Sequence, residues 1–120
     1  MAHYVDAYVL PVPLAKLAEY KRMAIKAGKV WIEHGALEVR EHVADDVKVG
    51  KLTSFPQSVM LEEGEVVVFS YVIFKSRKQR DAINAKVMAD PRLAALFSGQ
   101  MSTFDGKRMI WGGFKSMVVL

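Results

Sequence analysis

The segment from Glu65 to Phe74, EVVVFSYVIF, constrains this chain more than any other. In an extended strand successive side chains point to opposite faces. One face then carries Val66, Val68, Ser70, Val72 and Phe74, and the other Val67, Phe69, Tyr71 and Ile73. Both faces are apolar, so both need cover. The chain has 120 residues, enough for one domain over 1–120, and 52% of them are hydrophobic. So short a domain has few interior positions, and a subunit interface is the simplest destination for the remaining apolar surface.

The other elements follow from period and punctuation. Residues 3–12 alternate as a strand with Tyr4, Asp6, Tyr8 and Leu10 on one side, and Pro11 and Pro13 end it. Residues 14–34 carry Leu14, Leu17, Ala18, Ala24, Ile25, Gly28, Trp31 and Ile32 at helical spacing, and Gly35 suits the helix C-terminus. Residues 36–44 read as a second strand with Leu37, Val39 and Val43 inward. Residues 45–64 have no clear period and read as a long loop. Beyond the central strand, Ser76 and Gln79 have the spacing of a helix capping box, and Asp90-Pro91 opens a short separate helix. Residues 108–120 form a last strand in which Gly112-Gly113 marks a bulge, a bend or close backbone contact.

The resulting order, β-α-β-loop-β-α-β, is that of a ferredoxin-like α+β domain. Both long helices of that fold pack on one sheet face and leave the other open. Exposing four or five apolar side chains there forfeits several kcal/mol at about 25 cal/mol per Å². Two copies pairing sheet to sheet remove that cost, so a homodimer is expected. The alternative is that residues 45–64 fold over the open face.

Several classes fall away. The chain has no cysteine, which excludes disulfides, thiolate metal sites and cysteine nucleophiles. No run approaches the length of a membrane span, and the N-terminal MAHYVDAYVLPVP lacks the pattern of a signal peptide. A soluble cytoplasmic protein is the expectation. The formal charge of +4 is mild and argues little for nucleic acid. No phosphate-binding loop, dinucleotide fingerprint, nucleophile elbow or zinc-protease motif is present, and no cofactor is implied.

Five residues stand out as ligand-binding candidates. Trp31 and His34 lie three apart on the first helix, where His34 could act as acid or base, although a histidine at a helix C-terminus more often serves the helix itself. Asp6 and Ser70 are polar residues in otherwise apolar strands, and Asp6 needs a partner if buried, for which Arg108 is a candidate. Arg108 could otherwise hold a carboxylate or phosphate. Tyr71 and Tyr8 could bring hydroxyls to the same space, though core filling is the commoner role of such aromatics. Asp45-Asp46 is most simply a solvated turn, and no histidine at ligand spacing makes it a metal site. Lys75, Arg77, Lys78 and Arg80 crowd the start of the second helix, against its dipole. They form either an anion site or ion pairs with Glu62, Glu63 and Glu65.

The segments WIEHGALEV (31–39), DDVKVGKLTSFP (45–56), VMADPR (87–92) and FDGKRMIWGGF (104–114) resemble the YbaA-like family, a bacterial group of unknown function, over nearly the whole chain. The resemblance implies a dimeric α/β barrel and no established activity. The wider barrel superfamily includes cofactor-free monooxygenases and small-molecule binders, and fold alone does not choose among them. The reading that leads is a small organic ligand held between sheet and helices. The alternatives are a cofactor-independent monooxygenase-like or isomerase-like enzyme and, more weakly, RNA binding through the basic start of the second helix.

Overall fold

In the computed structural model, residues 3–97 and 103–120 are described. Strand β1 (Tyr4–Pro13) leads through one 3-10 turn (Leu14–Lys16) into helix α1 (Leu17–Glu33). Strand β2 (Glu38–Val43), a one-turn helix α2 (Phe55–Ser58) and strand β3 (Glu65–Phe74) follow. Helices α3 (Arg77–Ala89) and α4 (Pro91–Leu96) then precede strand β4 (Ile110–Lys115). Met1 and Ala2 of the N-terminal stretch lie outside the described residues.

The chain signals act where they stand. Ser76 Oγ accepts the Gln79 N–H at 3.2 Å, and Asp90 Oδ1 accepts the Arg92 N–H at 2.9 Å, so α3 and α4 each start on a side-chain cap. Gly35, at φ +117°, takes the left-handed turn that ends α1. The unexpected element is α2. Ser54 Oγ accepts the Gln57 N–H at 3.3 Å and Pro56 sits in the first turn, a start signal too short to show as a period.

The sheet order is β2-β3-β1-β4, with every neighbouring pair antiparallel. One face carries Leu10 and Val12 of β1 and Val68, Val72 and Phe74 of β3, all buried. Against it pack Met23, Ala24, Ala27 and Val30 of α1, Ile83 and Val87 of α3 and Leu93 of α4. The opposite face carries Val5, Ala7 and Val9, then Phe69, Tyr71 and Ile73, with Ile110 and Phe114 on the flanking strand. Phe69 is 40% and Phe114 61% exposed. This part of the face is therefore open, whereas Pro11 and Val67 at the Glu65 end of the same face are buried, as are Pro56 and Val59 of the loop 45–64.

Asp6 is fully buried on the helix-facing side. Arg80 Nε donates to its two carboxylate oxygens at 2.9 and 3.1 Å, and Asn84 Nδ2 donates to Oδ2 at 3.0 Å. Arg80 and Asn84 stand four apart, one helical turn, so α3 presents both to the same carboxylate. The Arg80 guanidinium also lies over the Tyr4 ring, 5.1 Å from its centroid. Gly113 is the residue of β4 beside Asp6, and a β-carbon there would run into the Tyr4 hydroxyl and the Arg80 guanidinium. Gly113 thus provides side-chain space. Its strand pairs with β1 residue by residue, without a bulge.

Arg108 is not the partner of Asp6. It makes two 2.7 Å bonds to Glu65, with further contacts to Asp105 Oδ2 and the Met60 carbonyl, both at 3.0 Å. Val72, the residue of β3 opposite Asp6, is seven residues from Glu65, about 23 Å along a strand. The arginine is therefore committed to the other end of the sheet. The basic start of α3 also pairs differently from expectation, since Arg80 takes Asp6 and Asp81, and Arg77 reaches Asp81 at 3.8 Å.

Two outcomes follow. Arg80→Met leaves a buried carboxylate without its cation and should cost about 3–5 kcal/mol in urea unfolding, whereas adding Asp6→Leu to it should recover most of the loss. The hydrogen bonds from Arg108 hold the Glu65 carboxyl below its ordinary pKa. A lowered folded-state pKa stabilises above the ordinary carboxylate range and is lost as pH falls through the folded value. The stability difference between wild type and Arg108→Met, measured by urea unfolding, should therefore shrink between neutral pH and the acid side of that range.

Candidate functional site

A cavity of about 390 Å³ lies between the sheet and the helices, within the size range of small-molecule sites. Its walls are Met23, Ala27 and Trp31 of α1, Met88 of α3, Leu93 of α4, and Phe97, Phe104 and Met109. Its floor has a simple origin. The strand register aligns Glu41 with Ser70, Ser70 with Tyr8, and Tyr8 with Trp111. One residue from each strand thus forms a single row across β2-β3-β1-β4, and all four line the cavity. The row gathers a carboxyl and two hydroxyls in otherwise apolar surroundings.

The electrostatics of that row are set by its environment. Burial pushes the Tyr8 phenol up to about 12, helped by the charge of Asp6, so it is a protonated donor at neutral pH. Its ring stacks on Trp111, with centroids 6.1 Å apart. Glu41 accepts the Tyr20 hydroxyl at 2.6 Å. The protein around Glu41 raises its pKa against the opposing effects of that hydrogen bond and of His42. The rest of this side chain reaches solvent, since β2 is an edge strand, and Glu41 therefore stands at the rim.

A larger groove of about 760 Å³ runs outside, between α1 and β2. Two i, i+4 rows of α1 line it. The inner row, Tyr20, Ala24, Gly28 and Ile32, carries its two smallest residues at its centre; the outer row is Leu17, Lys21, Ile25, Lys29 and Glu33. Tyr20, Ala24, Gly28, Val39 and Glu41 line both the groove and the cavity, so the two spaces adjoin across that wall.

The sequence candidates separate on this frame. Trp31 lines the cavity and donates from Nε1 to Asn84 Oδ1 at 3.0 Å, and Asn84 in turn holds Asp6. Asp6 lies behind the cavity wall with its oxygens engaged. His34 sits at the C-terminus of α1, where Nε2 meets Asp90 Oδ2 at 2.8 Å and ties α1 to the start of α4. Tyr71 is on the opposite sheet face, stacked with His42 at 5.6 Å. Arg108 pairs with Glu65. Only Trp31 of the five borders the cavity.

Tyr20, Glu41 and Asn84 escaped the sequence reading. A signal existed for two of them. Glu41 falls between Val39 and Val43 on the inward phase of β2, and Asn84 shares the stripe of Ile83 and Val87. Both are polar residues on faces otherwise committed to the core. Among the described residues no cluster of acidic or histidine side chains is arranged for a metal, and no helix is long and apolar enough to cross a membrane.

Comparison with known proteins agrees with this architecture. Two solved structures share the mixed α+β fold with its four-stranded antiparallel sheet. One is a NIPSNAP family protein of unknown function from Agrobacterium tumefaciens, 14% identical, with a TM-score of 0.55 over 95% of this chain and 87% of its own. The other is an uncharacterized NIPSNAP domain protein from Burkholderia xenovorans, 11% identical, with a TM-score of 0.53 over 97% and 94%. At such identities the likeness concerns fold alone. The chain is 47% identical over 115 residues to the uncharacterized protein YbaA of Escherichia coli K12, which covers 96% of this chain and 97% of the relative, and equally to the Shigella flexneri protein of that name. A family model described as a protein of unknown function, DUF1428, matches residues 3–106, and the chain belongs to that family.

Proposed function

We propose that this chain binds a small, largely apolar organic molecule in the cavity between sheet and helices. The observation that carries the reading is the row Glu41, Ser70, Tyr8 and Trp111 at the floor of an apolar space. A few convergent polar groups in apolar walls orient a ligand without demanding charge. Asp6, His34 and Arg108 serve ion pairs of the fold in this reading, which disfavours them as reacting groups. The arginines at the start of α3 are likewise occupied, and that weakens the case for RNA.

The same reading takes the protein as a ferredoxin-like homodimer forming an α/β barrel, in a cytoplasmic setting suited to a chain without cysteine. The strand order and the open apolar face support it. Burying Phe69, Tyr71, Ile73, Ile110 and Phe114 against a second copy removes the exposure that a lone chain retains.

Both tryptophans of the chain line the cavity, so their fluorescence reports its occupancy directly. Titration with 2-naphthol should change that emission saturably, and Ala24→Phe, which fills the wall shared with the groove, should weaken the response about tenfold or more, equivalent to about 1.4 kcal/mol. A linear, unsaturable response, or one indifferent to Ala24→Phe, defeats the ligand reading. Light scattering should return twice the 13.4 kDa chain mass, and Phe69→Asp should return the monomer. A monomeric wild type defeats the dimer.

A further inference from the structure

The groove outside the cavity has a charge imbalance. Four charged side chains line it besides His42. Glu33 is engaged by Arg92 and Glu41 by Tyr20. Lys21 and Lys29 have no carboxylate partner among the described residues, and both are exposed. They stand eight apart on one row of α1, with Ile25 between them. The groove is therefore an apolar trough with two uncompensated cations on its outer lip. Its inner lip is the wall it shares with the cavity, where Ala24 stands between the Tyr20–Glu41 hydrogen bond and the close packing of Gly28 on Val39.

These features belong together if one molecule occupies both spaces. A compact apolar molecule would fill the cavity and leave the groove and its lysines unused. A peptide strand would satisfy the edge of β2 but would not turn inward past Ala24. A long chain with one anionic end uses every feature. We propose that the ligand is a fatty-acid-like amphipathic anion whose alkyl chain passes from the groove over Ala24, beside the Tyr20–Glu41 pair, into the cavity, and whose carboxylate rests between Lys21 and Lys29. This rests on the cavity being a ligand site and names the class of molecule it takes. Glu41 then has a selective role. A carboxylate head is repelled from the inner rim, so only the tail enters, while the lysines receive the head outside.

The test compares three probes by tryptophan fluorescence: decanoate, decanol and 2-naphthol. Decanoate should bind the wild type about tenfold more tightly than decanol, the range two partly exposed charge contacts provide. The double variant Lys21→Gln/Lys29→Gln, whose changes lie on an exposed helix face, should bring decanoate to the level of decanol and leave 2-naphthol binding and the melting temperature as they were. Equal binding of decanoate and decanol by the wild type overturns the proposal, as does a double variant that keeps the preference. In either event, saturable 2-naphthol binding leaves the cavity reading standing. Silence of all three probes removes both.

Discussion

The carboxylate of Asp6 decides which side of this sheet is the inside. A strand that is apolar on both faces does not orient itself, because either face would gain from burial against the helices. Asp6 breaks the symmetry. An ionised group taken out of water must find a cation and donors, and α3 offers them together, in Arg80 and Asn84. Once α3 lies against that face, Val68, Val72 and Phe74 become core and Phe69, Tyr71 and Ile73 are left outside. Gly113 is part of the same arrangement, because a side chain there would occupy the space the guanidinium needs. Asn84 then extends the network to Trp31 on α1, so one buried acid fixes both long helices relative to β1.

Much of this was legible in the sequence, and the limits have a physical cause. Regular elements announce themselves by period, so the strand Glu65–Phe74 has the bounds the alternation predicts, and the caps at Ser76 and Asp90 sit where their spacing places them. A single turn such as α2 has no period to detect. Pairing between distant charges is harder still. That Asp6 needs a partner follows from its strand, but whether the partner is Arg80 or Arg108 depends on which end of the sheet each arginine reaches, and that is a property of the register. The five ligand candidates were chosen as chemically notable residues. Most such residues here hold the fold together. Of the groups that border the cavity, Ser70 stood out as a polar residue in an apolar strand, whereas a glutamate in the inward phase of an edge strand and a tyrosine in the first helix were less conspicuous.

The two sheet faces have divided the work of apolar surface between them. The helix-facing side is not fully packed, since small residues at Ala24 and Ala27 leave space above the row from Glu41 to Trp111, while Gly28 lets α1 close onto Val39. On the open side His42 of β2 stacks on Phe69 and Tyr71 of β3, whose own rings meet at a tilt. Side chains that alternate along β3 thus serve different purposes one residue apart: Ser70 borders the cavity, and Phe69 and Tyr71 lie on the outer face.

The cavity floor takes one residue from each of four strands, and those residues stand at positions 8, 41, 70 and 111 of the chain. Neighbours in the row lie at least 29 positions apart in the chain, the separation of Glu41 and Ser70. The row exists only after every long-range strand pairing has formed, so its appearance coincides with completion of the sheet. Chain topology of this kind makes folding slow relative to helical bundles of equal length, because loop closure precedes the contacts that reward it. It also means that any molecule recognising all four residues distinguishes the finished sheet from every partly assembled form, and by mass action would draw the chain toward its completed state.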